Sequence, residues 1–284
     1  ATEALAFQTH PYRNEVLGFQ ADIESLTRDD LYGHYKNYYQ PQNARLCLAG
    51  DFDTPTVLKM IEDYFGAIPS HPVKKNIPTP EGRITQAHHI ELEGPGDAHF
   101  AEIVYRSPAA NTNDFFAYTI LDSLLAGPSS LNMFGSGGIS NRTSRLYKAL
   151  VENEIVAGVF AGINATIDPG SYSFTLICRP DRASEDVLKR FDEQIEDIRN
   201  GNIQKTELER AVKQAKALFV YGADNITNQG FWLGYAPSFA DYNWFLQYIE
   251  RLQAVTPEQV IAIAQKYFSP YERVVGFYNP IKKD

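Results

Sequence analysis

The stretch Thr27–Gly50, TRDDLYGHYKNYYQPQNARLCLAG, is nearly repeated at Thr256–Gly276, TPEQVIAIAQKYFSPYERVVG. Aligning Thr27 with Thr256 places Tyr38 on Tyr267, Tyr39 on Phe268 and Pro41 on Pro270, at a constant offset of 229 residues. Both copies predict a helix followed by a strand. In the first, Asp29 and Asp30 suit the positive N-terminal end of a helix, and Leu31, Tyr35 and Tyr38 form its apolar stripe. Pro41 stops that helix, and residues 44–50, ARLCLAG, predict a short buried strand. In the second, Thr256 and Gln259 form a capping box with Pro257 at the first helical position.

A supersecondary unit that recurs at one offset implies two copies of one architecture. The motif lies near the end of the second copy but at residue 27 of the first. A unit of about 229 residues would therefore leave the first copy short of roughly its first 155. The chain is expected to be the tail of one unit (1–66), a linker (67–82) and a complete or nearly complete second unit (83–284). Residues 67–82, AIPSHPVKKNIPTPEG, fit a linker, with four prolines, the Lys74–Lys75 pair and no apolar periodicity. The chain starts at Ala1 without an initiator Met, so it is expected to be processed or part of something longer.

Between the copies the pattern is mixed. Residues 54–65 predict a helix ended by Gly66, and 84–93 and 99–106 predict strands. DFFAYTILDSLLAG predicts an apolar helix ended by Gly127 and Pro128. A Gly/Ser-rich loop at 127–140 precedes a further predicted helix, SNRTSRLYKALVENE. Two strands then follow, VAGVFAGINA and SYSFTLICR, joined through a turn at Asp168, Pro169 and Gly170. Val187, Phe191, Ile195 and Ile198 define one later helix, and Leu208, Val212, Ala215 and Phe219 the next. Strand pairs without regular βαβ alternation indicate an α+β fold, with a largely antiparallel sheet covered by helices. The aromatic run 231–249 is expected in its core, with Tyr and Trp tips at the surface.

Composition narrows the function. The 284 residues are 44 % apolar with a net charge of −9, and the pI is about 5.2. Clustered cations for nucleic acid are missing, and no apolar run is long enough to insert in a membrane. A soluble chain, cytoplasmic or periplasmic, is expected. Cys47 and Cys178 sit in apolar strand-like runs and are expected to be buried thiols rather than a disulfide. The GSGGIS loop lacks a Walker lysine, and no Gly-x-Ser-x-Gly is present. His89, Glu91 and Glu93 would share one face of a strand beside His88, but their splay favours a solvated edge over a metal site. His10, with Pro11 and Tyr12, is expected to form a structured turn.

Three stretches carry a family resemblance: HPYRNEVLG (10–18), IESLTRDDLYGHYKNYYQPQNARLCLAGDFD (23–53) and GGISNRTSRLYKALVENEIVAGVFAG (137–162). Together they resemble the M16 zinc metallopeptidases, the insulinase, pitrilysin and mitochondrial-processing-peptidase group. The resemblance implies homologous LuxS/MPP-like α+β units, paired by a linker into a clamshell around a peptide chamber. It implies a peptide or protein substrate, and zinc held by a His-x-x-Glu-His helix and a later Glu. That motif does not occur among the six histidines, His10, His34, His71, His88, His89 and His99. In the family it lies upstream of the HPY segment. The zinc ligands are therefore expected outside this chain, in an upstream M16 unit or a partner M16 subunit, and the chain alone is expected to be inactive.

Many active members also carry an Arg–Tyr pair that helps hold the substrate carbonyl. The matching positions here are Val151 and Gly158, which have no side-chain donor. Three explanations remain open: the pair comes from further units or another subunit, the protein is a non-catalytic scaffold or partner, or the alignment is displaced. Arg142 and Arg145 are the candidate substrate-binding residues near the chamber border. For Arg145 a structural pairing with a surface carboxylate is the competing expectation.

Overall fold

The computed structural model describes residues 1–73, 77–131 and 141–281. Lys74, Lys75 and the GSGGIS segment lie outside them. The elements in chain order are α1 (Thr2–Ala6), a 3-10 turn (Pro11–Arg13), α2 (Gln20–Ser25), α3 (Arg28–Tyr38), a 3-10 turn (Pro41–Asn43) and α4 (Thr54–Phe65). After the 67–82 region come β1 (His88–Pro95), β2 (His99–Ser107), α5 (Asp114–Leu125), a π-helical turn (Tyr147–Val151), β3 (Val156–Ile163) and β4 (Gly170–Cys178). The chain continues through α6 (Ser184–Arg199), α7 (Lys205–Tyr221), α8 (Ile226–Phe239), α9 (Tyr242–Gln253), α10 (Pro257–Tyr267) and β5 (Val274–Ile281).

The five strands form one sheet in the order β1-β5-β2-β4-β3, antiparallel except for the β1–β5 pair. This is the expected α+β architecture. The alternation along β4 separates its two faces. Tyr172, Phe174, Leu176 and Cys178 are buried beneath the helices, whereas Ser171, Ser173, Thr175 and Ile177 point to the other side. Helix α5 is the centre of the helical layer. It is apolar nearly all round because it packs against α7, α9, α10 and β3. Phe268, just after α10, closes an aromatic cluster with Tyr105, Tyr118, Tyr172 and Phe174. Among the described residues no helix is long and apolar enough to cross a membrane.

Both capping boxes form. Asp30 N–H donates to Thr27 Oγ1 at 3.3 Å, and Thr27 N–H to the Asp30 carboxylate at 3.0 Å. Gln259 N–H donates to Thr256 Oγ1 at 3.3 Å, and Thr256 N–H to Gln259 Oε1 at 2.9 Å. Each helix runs 11 residues.

Four expectations are corrected. Residues 44–50 are not a strand; the run is extended but pairs with no strand among the described residues, because a ladder needs a neighbour. Cys47 is accordingly only half-buried, while Cys178 is buried, and both are free thiols. The helix expected after residue 140 opens into a π-helical turn, with Glu152 N–H bonded to Tyr147 O and Ile155 N–H to Leu150 O. In the aromatic run 231–249, which forms α8 and α9, Tyr242 reaches the surface as expected, but Trp232, Trp244 and Tyr248 are buried to their polar tips. The Trp232 indole donates to Gly222 O, and the Trp244 indole to Ala110 O.

Candidate functional site

The sheet face opposite the helices is only partly covered, and it carries exposed apolar side chains. Cross-strand register places Leu92, Tyr278, Phe100, Ile177 and Gly158 in one row across all five strands. The next row holds Ile90, Gly276, Glu102, Thr175 and Phe160. Leu92, Phe100 and Phe160 are exposed. A cavity of about 310 Å3 opens here, lined by Leu92, Phe100, Glu102, Thr175, Gly276 and Tyr278 together with Ala1 and Thr2. An apolar row beside a carboxylate and a hydroxyl can hold an extended chain or an apolar side chain.

Residues 1–14 cover the far half of this face. Ala6 and Phe7 pack with Ile84, Val104 and Val274 as a second small core, and the Arg106 guanidinium lies over the Phe7 ring at 4.0 Å. Thr2 Oγ1 donates to Glu102, and Ser171 Oγ donates to Glu3 at 2.9 Å. The Glu81 carboxylate accepts three backbone N–H groups, from Gln8, Thr9 and His10, at 3.0, 2.8 and 2.8 Å. Desolvation pushes its pKa up, but those donors outweigh it and hold Glu81 down at about 2. His10 is buried, its Nδ1 accepts from Tyr12 N–H, and its Nε2 lies 3.4 Å from Asp168 in the β3–β4 turn. The His10-Pro11-Tyr12 segment is thus the structured turn expected.

The other singled-out residues lie elsewhere. Arg145 is only 10 % exposed at its side chain. Its guanidinium donates to Glu207 at 2.6 and 2.8 Å, to Asp197 at 2.8 Å and to Asn202 O. The raised pKa of Arg145 reflects these carboxylates overcoming its desolvation. Arg142 is exposed at the edge of the described segment. Val151 packs against the main core, and Gly158 sits on β3, where a Cβ would lie 3.1 Å from the Phe160 ring. Neither position offers a side-chain donor. His89 Nε2 approaches Glu91 at 3.8 Å on the exposed β1 edge. Among the described residues no group of three or more His, Cys, Asp or Glu is placed to hold a metal. The residues present do not fit a zinc centre, and no step through zinc is assigned to them.

Sequence reasoning missed the open-face row and the Glu81 and Asp168 ties. The polar–apolar alternation of SYSFTLIC was the available signal for a sheet with one uncovered face. The ties join residues 71 and 158 positions apart, beyond any local pattern.

The family described as Peptidase M16 inactive domain matches residues 25–215. The zinc protease PqqE of Helicobacter pylori is 24 % identical over 292 residues, covering 97 % of this chain and 60 % of that protein. The mitochondrial-processing peptidase subunit beta of Lentinula edodes is 24 % identical over 276 residues, covering 93 % of this chain and 57 % of that protein. A crystal structure of a protease from Helicobacter pylori superposes with a TM-score of 0.82 at 22 % identity, over 97 % of this chain and 64 % of the other. The chain spans about three-fifths of the length of these relatives.

Proposed function

We propose, since this chain belongs to the Peptidase M16 inactive domain family, that it is the non-zinc portion of an M16 zinc metalloendopeptidase. Residues 1–66 end a first unit, 67–82 link, and 83–284 make the second unit. The open face of the five-stranded sheet is one wall of a chamber that holds a peptide or protein substrate. Zinc belongs to the parent protein, with its ligands in an upstream M16 unit or a partner M16 subunit. Arg142 is the residue proposed to reach a peptide at the chamber border, and Arg145, tied to Glu207 and Asp197, holds that border in place.

One observation carries this assignment. Val275 and Phe277 of β5 lie in the core of the second unit, yet their counterparts Leu46 and Leu48 are 56 % and 44 % exposed. Apolar side chains in a core-type pattern without a core fit a unit whose remainder lies in a longer protein. The greater length of the zinc-protease relatives agrees.

A second assignment, a non-catalytic M16-like scaffold or partner subunit, is favoured by Val151 and Gly158 where an Arg–Tyr pair is expected. Comparing this chain with one extended upstream by about 155 residues separates the two. The expected result is no stoichiometric zinc and no peptidase activity for the chain alone, with both gained on extension. Zinc near one equivalent in the chain alone would overturn the peptidase-half assignment. An extended protein that folds without zinc would favour the scaffold.

A further inference from the structure

A separate cavity, of about 450 Å3, opens on the helical side of the sheet where α8 gives way to α9. Asn111, Ile167, Asp241, Asn243, Gln247 and Arg251 line it. The polar lining follows α9. Asn243, Gln247 and Arg251 recur at every fourth residue, which sets them along one side of the helix at steps of about 6 Å. Asn111, ahead of α5, adds a further amide. The side chains of Asn111, Asn243 and Gln247 are exposed, and among the described residues none of the three has a hydrogen-bond partner.

The cavity is lined by opposite charges at its two ends. At one, Arg251 Nη2 donates to Asn113 Oδ1 at 2.7 Å, and the guanidinium lies over the Phe116 ring at 4.1 Å. These neutral partners fix the guanidinium without discharging it, and no carboxylate among the described residues pairs with it. At the other end Asp241 caps α9. Its Oδ1 accepts from Trp244 N–H at 2.9 Å, and its second oxygen is uncommitted. Ten residues of helix separate Asp241 from Arg251, about 15 Å along the axis.

This layout matches an extended peptide. An extended chain repeats every two residues, about 6.6 Å, close to the step between the polar side chains of α9. A side-chain amide both donates and accepts, so each can pair with the backbone N–H and C=O of alternate residues. At about 3.3 Å per residue, a chain of about four residues spans the distance between the two charges. We propose that this groove binds short peptides with both termini free. The peptide carboxylate pairs with Arg251, the ammonium pairs with Asp241, and the amides of Asn243 and Gln247 hold the backbone between them. A guanidinium already held by Asn113 and Phe116 loses little freedom when a carboxylate arrives. The groove lies apart from the open sheet face, and its contacts stand whether or not the parent protein holds zinc.

The test is titration calorimetry on the full 284-residue chain with tetra-alanine, whose side chains bring no polar chemistry of their own. Saturable binding is expected with a Kd at or below about 1 mM. Converting the C-terminus to an amide is expected to weaken binding about tenfold. Dialanine, too short to reach both charges, is expected to bind about tenfold more weakly as well. Arg251→Gln is expected to abolish the preference for the free carboxylate. Gln247→Ala, at an exposed position, is expected to weaken the acid and the amide alike by severalfold while circular dichroism stays native. Absence of saturable binding in folded protein overturns the proposal, as does equal affinity for the acid and the amide. Equal affinity for dialanine overturns the span between Asp241 and Arg251. Unchanged affinity in natively folded Gln247→Ala overturns the placement of the peptide along α9.

Discussion

Arg28–Tyr38 and Pro257–Tyr267 are helices of equal length, opened by the same threonine device and followed by the same proline. Helix α10 buries Val260, Ile263 and Ala264, whereas α3 buries nothing. Phe268 sits inside an aromatic cluster, while its counterpart Tyr39 is 70 % exposed. Beyond the proline, β5 is held on both sides by β1 and β2, and residues 44–50 have no ladder among the described residues. Near-identical local signals thus give identical caps and helices, and tertiary surroundings alone decide whether those elements become core. Caps are satisfied within four residues of chain; strands and apolar stripes are satisfied only by distant partners.

The contrast can be broken most sharply at the residue after each helix. Phe268→Ala is expected to cost about 3–5 kcal/mol in denaturant unfolding, as for a fully buried ring. Tyr39→Ala is expected to change the same transition by less than about 0.5 kcal/mol. Comparable losses at both sites would mean that the first copy is packed after all.

Asp122 probes the depth of the second copy's core. Its carboxylate on α5 accepts from Tyr172 Oη at 2.7 Å and from Ser129 N–H at 3.0 Å. Burial pushes its pKa up to about 6, against the opposing effect of those donors. A carboxyl whose folded pKa is raised favours folding most below its unfolded pKa, and that contribution is lost as pH rises through about 6. Stability of the second half is therefore expected to fall by about 2 kcal/mol between pH 4 and pH 7 from this group. Asp122→Asn is expected to flatten that part of the profile, and an unaltered profile would remove the assignment.

Glu81 tests how the first copy's tail is held. Its depressed pKa of about 2 means that its contribution is present above the usual Glu range and lost as pH falls from about 4.5 toward 2. Glu81→Gln is expected to speed limited proteolysis within residues 8–20 severalfold at neutral pH, leaving the main unfolding transition in place. Equal cleavage rates in both proteins would show that Glu81 does not hold the segment.

The smallest expected effect lies at the caps. Thr256→Val is expected to lower global stability by about 1 kcal/mol. Thr27→Val is expected to fray α3, seen as faster amide exchange in residues 28–31, with no shift of the global transition. A global shift of similar size from both substitutions would make the two copies equivalent.

Much of the fold was legible where the information was local. The capped helices, the α5 core helix, the β3–β4 turn and the buried faces of α6 and α7 followed from periodicity and turn residues. The family resemblance rested on the HPY segment, the Thr27 helix and the 137–162 stretch, and the match over residues 25–215 takes in the last and most of the second. The site was much less legible. Its apolar row assembles from five strands whose order in the sheet is not their order in the chain. Arg145 shows the limit well: the sequence places an Arg beside a Gly-rich loop, but only the fold brings Glu207 and Asp197 to it.

The β1–β5 pairing carries a consequence for how the protein is made. β5 is inserted between β1 and β2, although both precede it by most of the second half of the chain. On a ribosome adding about 5–20 residues per second, β1 must wait on the order of ten to forty seconds for the strand that joins it to the rest. Through that interval Ile90 and Leu92 sit on an open edge, the kind of strand that recruits a neighbouring nascent chain. Nonsense or frameshift lesions within Val274–Ile281 are therefore expected to yield aggregates rather than a shortened folded protein.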